Sequence, residues 1–286
     1  MTPYTLTGSL FTKAAALLLT LLVAAAILKL LVLFLEARMA FFPFSGIDET
    51  PRARGIEYEE RSITTADGET LHGWVLRPPS PKAEVLYFHG NGGNLSIWLE
   101  ILEGLYRRGL AVTAFDYRGY GRSTGSPSEQ GLYRDTDAML GEFWASSRQS
   151  RSPVIYWGRS LGGTIAAYAA ATRAPDGLVL ESSFPSARAL LRTNLVMAIL
   201  GLFSSYRFPT TTWLAKVDRP VLVMHGDADS IVPFELGQQV FSTIRGPKRF
   251  HRIARGDHND AAPKDPEPYW TAVMQFVNEI ARRPVQ

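Results

Sequence analysis

Between Glu84 and Arg282 the chain alternates short, continuously apolar runs with longer segments of helical period. A strand with one wet face alternates apolar and polar residues. A run that is apolar throughout is covered on both faces. Parallel strands also need long crossover connections, usually helices. The pattern therefore predicts βαβ units, that is, an α/β fold with a mostly parallel central sheet and helices on both faces. Predicted strands are Glu84–Phe88, Leu110–Phe115, Val154–Trp157, Leu178–Leu180, Val221–His225 and Arg249–Ile253. Predicted helices are 94–108, 128–147, 161–173, 235–244 and 268–282. Ahead of them, two β-like stretches at 57–64 and 70–77 flank Asp67-Gly68, a hairpin signal. One segment breaks the rhythm. Residues 182–216 contain no strand but carry apolar residues at helical spacing over 187–203. They read as a helical lid or as an ordinary extra helix.

From Ala14 to Leu35 the chain is apolar apart from Thr20 and Lys29. As a helix this run spans roughly 33 Å, enough to cross a hydrocarbon core of about 30 Å. Lys29 can snorkel, Arg38 marks the water boundary, and Phe41, Phe42 and Phe44 are expected at headgroup level. A cleaved signal peptide is the rival reading, with Ala24-Ala25-Ala26 imitating its cleavage site, but the apolar run continues past those residues. Arg38, Arg52, Arg54 and Arg61 follow the span and only Lys13 precedes it, so the positive-inside tendency points to a cytoplasmic domain. The expected division is an N-terminal segment 1–35 with its transmembrane helix at 14–35, a connector 36–55, and an α/β domain 56–286 with candidate lid 182–216.

The chain has no cysteine. A disulfide framework, a thiol nucleophile and a cysteine zinc site are thereby excluded. The net charge of +3 is scattered along the chain rather than gathered in one run, so no nucleic-acid partner is expected.

Gly158-Arg159-Ser160-Leu161-Gly162 lies between a predicted strand and a predicted helix. A serine hydroxyl is a poor nucleophile unless it is exposed, held still and placed beside a base. A sharp strand-to-helix turn holds it in strained backbone angles, and only very small residues fit two places before and after it. The following helix directs its N-terminus at the site, where negative charge is stabilised.

Four further motifs accompany it. They are His89-Gly90-Asn91-Gly92-Gly93-Asn94, Asp116-Tyr117-Arg118-Gly119-Tyr120-Gly121-Arg122-Ser123, His225-Gly226 with Asp229 and Val232-Pro233, and Gly256-Asp257-His258-Asn259-Asp260. With the serine motif, in this order, the chain resembles the α/β-hydrolase superfamily over about residues 36–283. It is most similar to the single-pass, membrane-anchored branch that includes depalmitoylases and aminopeptidase-like hydrolases.

The resemblance implies a Ser–acid–His triad. Ser160 is the expected nucleophile. Of five histidines, His258 alone sits in a polar loop after the last strand, the position a catalytic base requires. The expected acid is Asp229, with Asp227 in the same loop and Glu181 at a strand end as alternatives. Asp257 and Asp260 are expected to shape the histidine loop. Oxyanion donors are the backbone N–H of Leu161 and, by similarity, that of Asn91, with Gly92 as its alternative. The implied activity is hydrolysis of a carboxylic ester or thioester through an acyl-enzyme, on small-molecule or lipid-like acyl substrates near a membrane, with no metal or organic cofactor. A serine peptidase of the same fold and a non-catalytic, membrane-tethered binding protein are the alternatives.

Overall fold

The computed structural model describes residues 4–147, 152–260 and 266–282, with side chains from Leu10 onward. Residues 1–3 of the N-terminal segment, and 148–151, 261–265 and 283–286 of the α/β domain, lie outside the described residues. The predicted strands join one eight-stranded sheet. In chain order these are β2 (Glu59–Thr64), β3 (Thr70–Leu76), β4 (Ala83–Phe88), β6 (Leu110–Phe115), β7 (Val154–Arg159), β8 (Gly177–Glu181), β9 (Val221–Gly226) and β10 (Lys248–Ile253). Their spatial order is β10-β9-β8-β7-β4-β6-β3-β2. The pairs from β6 to β10 are parallel, whereas the hairpin strands β2 and β3 close one edge antiparallel.

Alternate strand residues feed two cores. Ile155 and Trp157 pack with α2 (Leu99–Arg107) and α9 (Pro266–Ala281) on one face. Val154 and Tyr156 pack with α3 (Glu129–Ser147), α4 (Leu161–Thr172) and α8 (Phe234–Thr243) on the other. Burial of both faces explains why these strands read as unbroken apolar runs.

The structure departs from expectation at several points. Helix α2 starts at Leu99 rather than 94, because the Asn94 side chain accepts the Ser96 N–H (2.9 Å) and donates to the Gly46 carbonyl (2.9 Å), forming a turn. The 187–203 helix is two short ones, α5 (Ala187–Leu191) and α6 (Leu195–Leu200). Asn194 divides them by accepting the N–H groups of Val196 and Met197, as an N-cap does. A third short helix, α7 (Thr210–Leu214), completes the excursion between β8 and β9.

At the N-terminus α1 runs Tyr4–Ala40, beyond the apolar run at both ends, since no proline intervenes between Pro3 and Pro43. Its segment Leu10–Ala40 is long and apolar enough to cross a membrane. Phe41 packs inside the protein. It is 3% exposed and packs edge-on against Tyr206 (5.4 Å between ring centres), whereas Phe42 and Phe44 stay exposed. A two-residue parallel pairing of β1 (Phe42–Pro43) with β5 (Gly92–Gly93) ties this stretch to the loop after β4.

Candidate active site

The turn from β7 into α4 places Ser160 at φ 54° and ψ −118°, a backbone conformation that L side chains rarely adopt. Its neighbours explain the glycines. A Cβ on Gly158 would lie 2.0 Å from the Gly162 carbonyl oxygen, and one on Gly162 would lie 2.0 Å from that of Phe88. Both obstacles are backbone, so side chains cannot move aside to relieve them. The turn is held from the next strand by the Ser160 N–H, which donates to the Glu181 carbonyl (2.8 Å).

Three predicted residues meet here. The Ser160 Oγ lies 2.9 Å from His258 Nε2, and His258 Nδ1 lies 2.9 Å from Asp229 Oδ2. With Nδ1–H donating to the carboxylate, Nε2 is free to accept the serine proton. The other oxygen of Asp229 accepts the N–H groups of Val232 (2.7 Å) and Ile231 (3.1 Å). Burial opposes ionisation of Asp229. The His258 hydrogen bond and charge and the Val232 N–H outweigh it, and the carboxyl lies below its ordinary value.

The alternative acids are committed elsewhere. Asp227 binds Arg252 (2.7 Å) and the Arg255 N–H (2.6 Å). Glu181 accepts from Trp157 Nε1 (3.2 Å) and the Tyr269 hydroxyl (3.0 Å), and faces Arg159. Asp257 braces the histidine loop. One of its oxygens accepts from the Ser230 N–H, the Ser230 hydroxyl and the His258 N–H. Those hydrogen bonds lower its carboxyl to about 2. Asp260 accepts the Asp257 N–H (2.9 Å).

The predicted oxyanion donors lie on adjoining loops. Leu161 is the first residue of α4, so its N–H has no partner inside the helix. A Cβ on Gly90 would lie 3.6 Å from the Arg159 carbonyl oxygen, which sets the loop after β4 beside the serine turn. Asn91 is fixed in that loop. Its side-chain amide donates to the Ala40 carbonyl (2.6 Å), while the Tyr120 hydroxyl donates to its backbone and side-chain oxygens. Its Gly92 neighbour sits in the β5 pairing.

The remaining histidines make no hydrogen bond to Ser160 among those described, although His225 Nε2 lies 3.5 Å from the Asp229 oxygen that His258 bonds. His89 is buried, with its ring 4.2 Å from that of Tyr117, and burial lowers it to about 4. His225 bonds the Val232 carbonyl (2.8 Å) and is lowered by burial. His72 pairs with Glu60 (3.3 Å), and His251 stands in β10. Among the described residues no group of three His, Asp or Glu side chains is placed to hold a metal ion.

One residue at this site escaped the sequence reasoning. Arg159 is buried, and one guanidinium nitrogen donates to the carbonyls of both His258 (2.9 Å) and Asp260 (2.7 Å). Another nitrogen lies 3.7 Å from Glu181. A signal for it existed. An arginine ending an otherwise apolar strand demands a buried partner, and Glu181 ends the neighbouring strand at the paired position.

Comparison with known proteins places the fold. A family model described as Hydrolase_4, serine aminopeptidase, S33, matches residues 79–216. An uncharacterized protein of Mycobacterium tuberculosis (strain H37Rv) is 33% identical over 252 residues, covering 86% of this chain and 88% of that protein. An uncharacterized membrane protein of Saccharomyces cerevisiae is 31% identical over 240 residues, covering 81% of this chain and 83% of that protein. Among solved structures, an esterase of Pyrococcus furiosus shares the fold, with a TM-score of 0.69 over 84% of this chain and 98% of its own, at 19% identity.

Proposed function

The chain belongs to the α/β-hydrolase family, and from that premise we propose that it is a membrane-associated serine hydrolase acting on carboxylic esters or thioesters. The observation that carries the reading is the continuous chain of contacts from Ser160 through His258 to Asp229, 2.9 Å at each step. In the proposed reaction the Ser160 oxygen attacks the substrate carbonyl carbon while its proton passes to His258 Nε2. Asp229 holds the Nδ1–H tautomer and stabilises the imidazolium. The N–H groups of Leu161 and Asn91 receive the developing oxyanion. As the tetrahedral intermediate collapses, the bond to the leaving group breaks and His258 returns the proton to the departing alcohol or thiol. Water then attacks the acyl-enzyme by the same route, releasing the acid and restoring Ser160.

Substrate class follows from location. The apolar α1 and a relative named as a membrane protein support membrane association. An enzyme so placed meets acyl chains at the bilayer. The basic residues after the span favour a cytoplasmic domain. The description of the matching family model favours a second reading, an aminopeptidase. Solved relatives of the same fold include esterases. The test is hydrolysis by the full chain in detergent, beside Ser160→Ala, of p-nitrophenyl acyl esters, acyl thioesters and aminoacyl anilides. Turnover of esters or thioesters that Ser160→Ala abolishes is the expected result. Turnover of anilides alone would favour the peptidase, and no turnover of any substrate would overturn the hydrolase reading.

A further inference from the structure

Along α1, burial against the rest of the protein is confined to the C-terminal end, where Val32 is buried and Leu35, Glu36 and Ala37 are half-buried. At its C-terminal end α1 is fastened to the excursion between β8 and β9. The Glu36 carboxylate accepts from the Ser204 hydroxyl (3.0 Å), the Ser205 N–H (2.8 Å) and the Ser205 hydroxyl. Phe41 packs beside Tyr206 and Phe208.

The segment just before this fastening is unusual. Leu195, Val196, Ile199 and Leu202 are 78%, 64%, 50% and 63% exposed. Their spacing puts all four on one helical face. No aspartate or glutamate occurs from Ser182 to Lys216, whereas Arg188 and Arg192 flank the apolar face in the open. Apolar residues with basic flanks and no acids are the composition of a helix that lies in a membrane interface, where anionic headgroups meet the cations.

We propose that α6 and the turn after it lie in the interfacial layer of the bilayer that α1 enters, with Arg188 and Arg192 at the lipid headgroups and the Glu36 contacts setting the depth. This rests on α1 lying in that bilayer. The occupant is lipid because the patch is continuous, through Ser204 and Ser205, with the helix that itself enters lipid.

The absence of cysteine makes the test direct. Leu21→Cys, Glu57→Cys, Val196→Cys and Ile199→Cys each carry one environment-sensitive nitrobenzoxadiazole probe, in the full chain reconstituted into phosphatidylcholine–phosphatidylglycerol vesicles. Probes at 196 and 199 should be quenched most by lipid nitroxides about 5–10 Å below the headgroups. The probe at 21 should be quenched by deeper nitroxides, and the probe at 57 should be reached only by aqueous iodide. Adding Glu36→Ala should weaken quenching at 199, and unchanged quenching would overturn the role of Glu36. Iodide-accessible probes at 196 and 199, with the probe at 21 in lipid, would overturn the proposal. Shielding from iodide without lipid quenching would mean that a second copy or another protein covers the face, and would overturn it as well. A probe at 21 open to iodide would overturn the membrane reading and this inference together.

Discussion

Arg159 links the strand that ends at Ser160 to the loop that carries His258, and its removal has a calculable effect. It is 5% exposed, donates two hydrogen bonds to the 258–260 backbone, and faces Glu181. A hydrogen bond from a charged group contributes about 1.5–3 kcal/mol. Arg159→Met keeps much of the stem's bulk but loses both bonds. If the equivalent of one bond appears as a less populated His258 position, kcat falls about 10- to 150-fold. KM should stay near that of the wild type, because the arginine holds the backbone of the histidine loop and makes no hydrogen bond to Ser160 among those described. Leaving Glu181 without its cation also costs stability, although Trp157 and Tyr269 still donate to it. Arg159→Lys therefore serves as the second variant. It retains the charge without the planar fork, and a loss of about tenfold is expected. The assay is steady-state ester hydrolysis across pH, with thermal unfolding alongside. A folded Arg159→Met whose kcat stays within about twofold of wild type would refute the positioning role. A loss matched entirely by loss of folded protein would reduce Arg159 to a structural residue.

Other predictions follow from the same contacts. Asp229→Asn should lower kcat by about ten-thousand-fold, because the amide favours the wrong imidazole tautomer, whereas Glu181→Gln should stay within about tenfold; the reverse ranking would make Glu181 the acid. Gly162→Ala pushes a methyl group onto the Phe88 carbonyl and should destabilise the fold by about 1–3 kcal/mol or more, read as a lowered Tm, and an unchanged Tm would contradict the packing described. Asp116 and His89 make a pH prediction. Burial raises Asp116 to about 7 and lowers His89 to about 4. Between about pH 4 and 6.5 the folded state keeps a proton on Asp116 that the unfolded chain releases, and lacks one on His89 that the unfolded chain holds, so the two effects cancel. Asp116→Asn removes the first, so across that window the slope of stability against pH should exceed that of the wild type by up to about 1.4 kcal/mol per unit, measured from urea midpoints at each pH. Identical slopes for the two proteins would contradict the assignment.

Much of the architecture was legible because burial on both faces leaves an unmistakable run such as Glu84–Phe88 or Val154–Trp157. The Ser160 turn was legible for a different reason. Its backbone leaves no room for Cβ atoms at 158 and 162, so the glycines record the geometry directly. His258 is singled out by loop position and Asp229 by the resemblance of its motif, whereas the contact between them is tertiary, across 29 residues. The start of α2 and the split of the 187–203 helix were misjudged because Asn94 and Asn194 satisfy backbone N–H groups locally, which apolar periodicity does not register. The burial of Phe41 left no trace in the sequence because its partners, Tyr206 and Phe208, lie far along the chain. The Glu36 contacts, 168 and 169 residues away in sequence, were equally invisible.

The central claim is that Ser160 is an activated nucleophile. Labelling of the detergent-solubilised full chain with a fluorophosphonate probe, beside folded Ser160→Ala, tests it most directly. The account predicts that the wild type is labelled and Ser160→Ala is not. Equal labelling of both would mean that another serine is the nucleophile, and no labelling of the folded wild type would contradict the proposed chemistry.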